Sequence, residues 1–145
     1  ILDTGGGILN LIGNSQQDDF LVFNPDTIWN EDYINEIQNM EKFYFKNQVK
    51  NILLVVEKSK SFDQRMEGDF SLDNNILGSL SDKNFIFTGC QILNRSIFND
   101  YKVENFSISK IWQEMILKNK LYGHISQQRF IHLTDIEIYN RLIKI

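Results

Sequence analysis

Four consecutive apolar residues, Phe20-Leu21-Val22-Phe23, run straight into Asn24-Pro25-Asp26. A run that is apolar on both faces predicts a strand inside a sheet covered on both sides, as in α/β proteins. Pro25 is the only proline in the chain. It fixes φ and has no N–H for a ladder, so it closes the strand there and helps to aim the next side chain. Ligands of open α/β sheets bind beyond the carboxyl ends of the strands, and Asp26 stands at such an end. Two readings of Asp26 compete: an ordinary turn whose carboxylate bonds its own backbone, and a metal-binding carboxylate at the mouth of a site.

The residues that follow point to the same fold class. Trp29, Tyr33, Ile37, Met40 and Tyr44 recur at helical spacing behind Asn30, a good N-cap, and predict an amphipathic helix to about Lys46. Ile52 to Val56 predict a second buried strand, so the strand–helix–strand order implies a right-handed parallel crossover. Residues 84–93 carry the strongest strand signal. Gly89 within them reads as a bulge, a close approach by a ligand, or a packing glycine. Residues 68–72 alternate like a half-buried strand, and Asp73-Asn74-Asn75 like a turn. Ser107 caps a helix with Ile108, Ile111, Trp112, Met115 and Ile116 on one face. Residues 121–123 and 129–133 read as short strands. Thr134-Asp135-Ile136-Glu137 is a capping box that opens a last helix to Leu142. With no repeat or linker, 1–145 is expected to be one α/β unit.

The first residues add a weaker signal. Thr4-Gly5-Gly6-Gly7 reads as a glycine-rich turn ahead of a short helix that Gly13-Asn14 ends. Glycines let backbone approach a ligand closely, and amides at a helix start favour anions or polar atoms; a flexible loop is the competing reading. The chain starts at Ile1, directly inside this motif and without methionine, and so reads like a piece of a longer protein.

Other classes find no support. The net charge is −4, without a basic stripe for nucleic acid. No apolar run is long enough to span a membrane. Cys90 is the only cysteine, which excludes an internal disulfide and fits a reducing, cytoplasmic compartment. Hydrolase, zinc and P-loop motifs do not occur. Of the two histidines, His124 and His132, the second lies in an apolar stretch and reads as a core or supporting residue. Asp69 reads as a surface carboxylate.

Several pieces in one order do carry a resemblance. Leu2-Asp3-Thr4-Gly5-Gly6-Gly7-Ile8, Phe23-Asn24-Pro25-Asp26, Gly68-Asp69-Phe70, Phe87-Thr88-Gly89-Cys90-Gln91-Ile92-Leu93, Phe106-Ser107-Ile108 and Leu121-Tyr122-Gly123 together resemble bacterial sugar-1-phosphate nucleotidyltransferases. The nearest branch is the N-acetylmuramate-1-phosphate uridylyltransferase group, often labelled mannose-1-phosphate guanylyltransferase, which serves cell envelope biosynthesis. The resemblance implies a Rossmann-like nucleotidyltransferase fold with a mixed, mostly parallel sheet. It implies a reaction joining a nucleoside triphosphate to a sugar 1-phosphate, with Mg²⁺ and release of pyrophosphate. By the same resemblance the Thr4, Gly5, Gly6 and Gly7 backbone approaches the nucleotide, and Asn24, Gly68, Asp69 and Gly89 line the substrate pocket. Asp26 holds Mg²⁺, and His132 in Phe130-Ile131-His132-Leu133-Thr134-Asp135 is the second ligand or orients one.

The departures are large. The family's Gly-x-Gly-x-Arg loop and Pro-Lys-Pro lysine, which neutralise the triphosphate, do not occur in these 145 residues. Pro25, Phe130 and Thr134 stand where the family has Gly, Trp and Gly. The chain is therefore expected to be inactive alone. A second chain carrying the missing part, or another copy, is expected to cover the outer edge of the Phe20 strand. The alternative is a degenerate, non-catalytic remnant that binds a partner chain or a nucleotide sugar.

Overall fold

The computed structural model describes residues 2–144. Helices α1 (Thr4–Ile12), α2 (Tyr33–Lys46), α3 (Ser109–Leu117) and α4 (Ile136–Leu142) flank a sheet of β1 (Asp19–Phe23), β2 (Asn51–Glu57), β3 (Ser71–Asp73), β4 (Ile76–Gly78), β5 (Phe85–Asn94) and β6 (Tyr122–Ser126). The order across the sheet is β1-β5-β2-β6-β4-β3. β1 and β2 run in the same direction, as the crossover predicts, but β5 lies between them and pairs antiparallel with both. β2 and β6 are the one parallel neighbouring pair. The sheet is therefore mixed; β1, β2, β3 and β6 share a direction against β4 and β5.

Alternation along β2 separates two cores. Leu53 and Val55 pack with Leu93, Phe106, Ile111, Trp112 and Leu121 on the α1 and α3 side. Ile52 and Leu54 pack with Tyr33, Met40, Tyr44 and Cys90 on the α2 side. Residues Ile52 to Val56 have no exposed surface, and each such side chain contributes roughly 1.5–3 kcal/mol of burial. Burial also pushes the Cys90 thiol up to about 12, which makes it a packing residue.

Several expectations need correction. β1 is not covered on both sides: exposure alternates along it, so the face carrying Leu21 and Phe23, 47% and 44% exposed, is incompletely covered, and among the described residues no strand lies beyond its edge. The glycines of residues 5–7 do not form a turn; they belong to α1. A Cβ on Gly5 would meet the Phe106 ring, and one on Gly6 the Glu104 carbonyl. Gly6 N–H instead donates to Phe106 O at 3.1 Å. Close packing thus outweighs the helix propensity that glycine lacks, about 1 kcal/mol per residue. Asn74 and Asn75 both have positive φ (48° and 65°) and close a two-residue hairpin. Its return strand, β4, is too short to show a period in the sequence. Residues 129–133 form isolated bridges rather than a strand. α4 is capped by Asp135, whose Oδ1 accepts Ile138 N–H at 2.9 Å. The Thr134 hydroxyl donates to Asp63 instead.

Asp63 anchors that end of the chain. Its side chain is 3% exposed and accepts from Arg65 Nε and Nη2, both at 2.8 Å, and from Thr134 at 2.9 Å. The Arg65 hydrogen bonds hold its carboxyl well below the usual carboxylate range. Its contribution is thus complete above the unfolded carboxylate pKa of about 4 and is lost as pH falls below that. Asp63→Asn is expected to lower stability at pH 7 by about 2 kcal/mol. Urea melts from pH 6 to pH 2 should fall less steeply for the variant than for the wild type; parallel curves would exclude this role.

Candidate functional site

The turn after β1 and the segment before α4 are stitched together. Ile28 N–H donates to Ile131 O at 2.9 Å, and Leu133 N–H donates to Asp26 O at 2.8 Å. Between them Thr27 and His132 form an antiparallel bridge. This places His132 Nε2 3.3 Å from Asp26 Oδ2. The turn is fixed from beneath as well. The Thr27 hydroxyl donates to Thr88 O at 2.7 Å, and Asn24 N–H donates to Gly89 O at 2.8 Å. Gly89 has φ +93°, and a Cβ there would lie 2.8 Å from Asn24 Cβ.

A cleft of about 380 Å³ opens beside this turn, with Asn24, Asp69, Lys83, Phe87, Trp112 and His132 in its walls. A second hollow of about 590 Å³ adjoins it across Asn24, Phe87 and Trp112, and reaches Thr4 and Gly7. Asp69 Oδ2 accepts Phe87 N–H at 2.9 Å. Burial raises the Asp69 carboxyl above its ordinary pKa, against the pull of that N–H and of Lys83. Trp112 Nε1 and His132 Nδ1 are buried and, among the described residues, have no hydrogen-bond partner. Buried polar atoms are normally satisfied, so each is a candidate contact for a ligand.

The sequence-predicted residues divide into two groups. Asn24, Asp69, His132, Thr4 and Gly7 line the two adjoining hollows, while Asp26 lines neither and meets the cleft through His132. Gly5 and Gly6 lie on the face of α1 that packs against residues 104–108. Gly68 packs on the Lys83 carbonyl, and Gly89 supports Asn24 from behind. Trp112, Phe87, Lys83 and Gln113 also line the cleft. Trp112 falls on the apolar stripe of α3, so periodicity assigns it to the core and conceals its second face.

Among the described residues no three His, Cys, Asp or Glu side chains converge as a metal cage. Mg²⁺, however, keeps several waters and takes one or two carboxylates together with substrate phosphates. The Asp26 side chain, 48% exposed, fits that mode. An imidazole nitrogen suits Mg²⁺ poorly, and His132 at 3.3 Å is placed to orient the Asp26 carboxylate. The residues fit a cation that arrives with phosphate and water.

Comparisons with protein-family models and with curated proteins return no match. Solved structures do match in fold. HddC from Yersinia pseudotuberculosis superposes with TM-score 0.70 at 21% identity, over 99% of this chain and 62% of that one. The inositol-1-phosphate CTP transferase from T. maritima gives 0.73 at 10% identity, over 98% and 60%. An apo UDP-glucose pyrophosphorylase gives 0.65 at 19% identity, over 99% and 61%. The fold is thus that of the sugar-phosphate nucleotidyltransferases, and the chain spans about three fifths of these neighbours' length.

Proposed function

We propose that the chain is the C-terminal part of a nucleotidyltransferase that joins a nucleoside triphosphate to a sugar 1-phosphate and releases pyrophosphate. The observation that carries this reading is the meeting of Asp26 and His132 at the carboxyl end of β1, beside a cleft that continues to Thr4 and Gly7. Residues distant in sequence converge there through the backbone bridge between Thr27 and His132. Asp26 would hold Mg²⁺, which when bound neutralises phosphate charge. His132 orients the Asp26 carboxylate. The α1 start and Asn24 position the nucleotide, and Asp69 and Trp112 face the sugar. Hexose 1-phosphates such as those of N-acetylmuramate or mannose, in the cytoplasm, are the substrates this reading favours. One HddC structure is a complex with GMP-PN, which agrees with a nucleotide in such a fold.

Among the described residues Lys83 is the one lysine or arginine lining this cleft, so catalysis is proposed to require the remainder of the fold. β1 is where that remainder attaches. The even-numbered residues bond β5, as Asn24 N–H to Gly89 O and Arg95 N–H to Asp18 O show. Alternation leaves the N–H and C=O groups of Asp19, Leu21 and Phe23 on the open side. The experiment is to co-express the chain with a protein carrying a Gly-x-Gly-x-Arg nucleotidyltransferase N-terminal segment and to measure pyrophosphate release. Activity in the complex and none in either part supports the proposal; an inactive, stable complex refutes it.

A non-catalytic remnant is the second reading, favoured by His132 in place of a carboxylate. Under that reading Mg²⁺-dependent binding of a nucleotide sugar would persist in the complex without turnover.

A further inference from the structure

A hollow of about 510 Å³ lies at the carboxyl ends of β2 and β6, with Lys60, Phe62, Gln127, Arg129 and Arg141 among its walls. Phe62 is 7% exposed. The guanidinium carbons of Arg129 and Arg141 each stand 5.0 Å from its ring centroid. Lys60 Nζ donates to Gln127 O at 2.9 Å and to Gln127 Oε1 at 2.8 Å, which leaves one of its three donors. Among the described residues neither guanidinium makes a hydrogen bond or an ion pair. Among the described residues no carboxylate lines the hollow. The nearby acids are engaged elsewhere: Glu36 accepts Gln127 N–H at 2.7 Å, and Glu137 accepts from Arg65 at 3.2 Å.

Three cations gathered in one hollow repel each other, and this occurs on a chain of net charge −4. Stacking on one ring restricts both guanidiniums before any ligand arrives. Their planar forks, with all donors unspent, match the oxygens of a phosphate or diphosphate. The hollow is separate from Asp26: Phe130 packs beside His132 with ring centroids 5.9 Å apart, while the adjacent Arg129 reaches Phe62.

We propose that this hollow is a binding site for a phosphate-class oxyanion carrying two or more charges, a phosphate monoester or a diphosphate, held by Arg129, Arg141 and Lys60. It is independent of the reading of Asp26.

The test is calorimetric titration of the full chain with inorganic pyrophosphate and with inorganic phosphate. EDTA is present, so that cation-dependent binding at Asp26 is silent, and salt is set at 50 mM or 300 mM. Arg129→Gln and Arg141→Gln each should weaken pyrophosphate binding about fivefold, and the double variant about 30-fold. Both side chains are exposed, so folding is not at stake. Asp26→Asn should change nothing, and the higher salt should weaken the wild type. Inorganic phosphate binding less tightly than pyrophosphate assigns the diphosphate; equal affinity assigns the monoester. Unchanged affinity in the double variant overturns the proposal. So does tighter binding of a Glu-rich peptide than of pyrophosphate, which would make the hollow a docking point for an acidic protein segment.

Discussion

Gly89→Ala is expected to destabilise the chain by about 3 kcal/mol, from a strained φ and an overpacked contact together. At this chain length that is a fall in Tm of about 9 °C. The backbone at φ +93° disfavours any side chain, and the added Cβ would meet Asn24 Cβ at 2.8 Å and Thr27 Oγ1 at 3.2 Å. Gly89 sits where the β2–β5 register shifts between Leu53 and Val55, a bulge of the kind its sequence suggests, and its carbonyl is held by Asn24 N–H. The displaced atoms belong to the turn that carries Asp26. Ligand binding should therefore weaken along with stability. Gly7→Ala is the control: nothing lies within 4 Å of its Cβ position. It should stabilise α1 by up to about 1 kcal/mol. Thermal melts of both variants check the contrast, and a neutral Gly89→Ala would mean that the turn can move.

The second large effect is on chemistry. Under the proposed function, Asp26→Asn in the completed fold is expected to lower kcat/KM by about 100- to 1,000-fold, the usual cost of losing a group that neutralises charge in the transition state. His132→Asn should cost about tenfold, as a residue that orients a ligand does. Raised Mg²⁺ should partly rescue His132→Asn and not Asp26→Asn. The Asp26 side chain is half-exposed, so its loss should alter stability by less than about 0.5 kcal/mol. Full turnover by Asp26→Asn would remove the carboxylate from the mechanism. Pyrophosphate release at varied Mg²⁺ reads all three outcomes.

The fold was legible where periodicity is long. The α2 stripe from Tyr33 to Tyr44, the β2 run and the β5 run are each visible as a repeat of buried side chains. β4 was not, because three residues carry no period and the hairpin is specified by two asparagines in a left-handed conformation. Thr134 was misread as a cap because Asp63, 71 residues earlier, claims its hydroxyl. At the site, the strand end located Asp26 and the resemblance paired it with His132. The bridge between residues 26–28 and 131–133 depends on backbone hydrogen bonds, which leave no trace in side-chain identity. The Phe62 hollow was invisible for a similar reason: Lys60, Arg129 and Arg141 are scattered, ordinary surface cations until the chain brings them to one ring.

β1 is tied to the molecule along one side only, and it delivers the turn bearing Asp26. A strand so placed is the natural first segment to open in the native ensemble. Whatever fastens its outer side withdraws conformational freedom from Asp26 at the same stroke. Under the proposed function, assembly and ligand capture then share a free energy, each tightening the other. Amide exchange at Leu21 should slow when a ligand binds, although Leu21 lines neither of the two adjoining hollows.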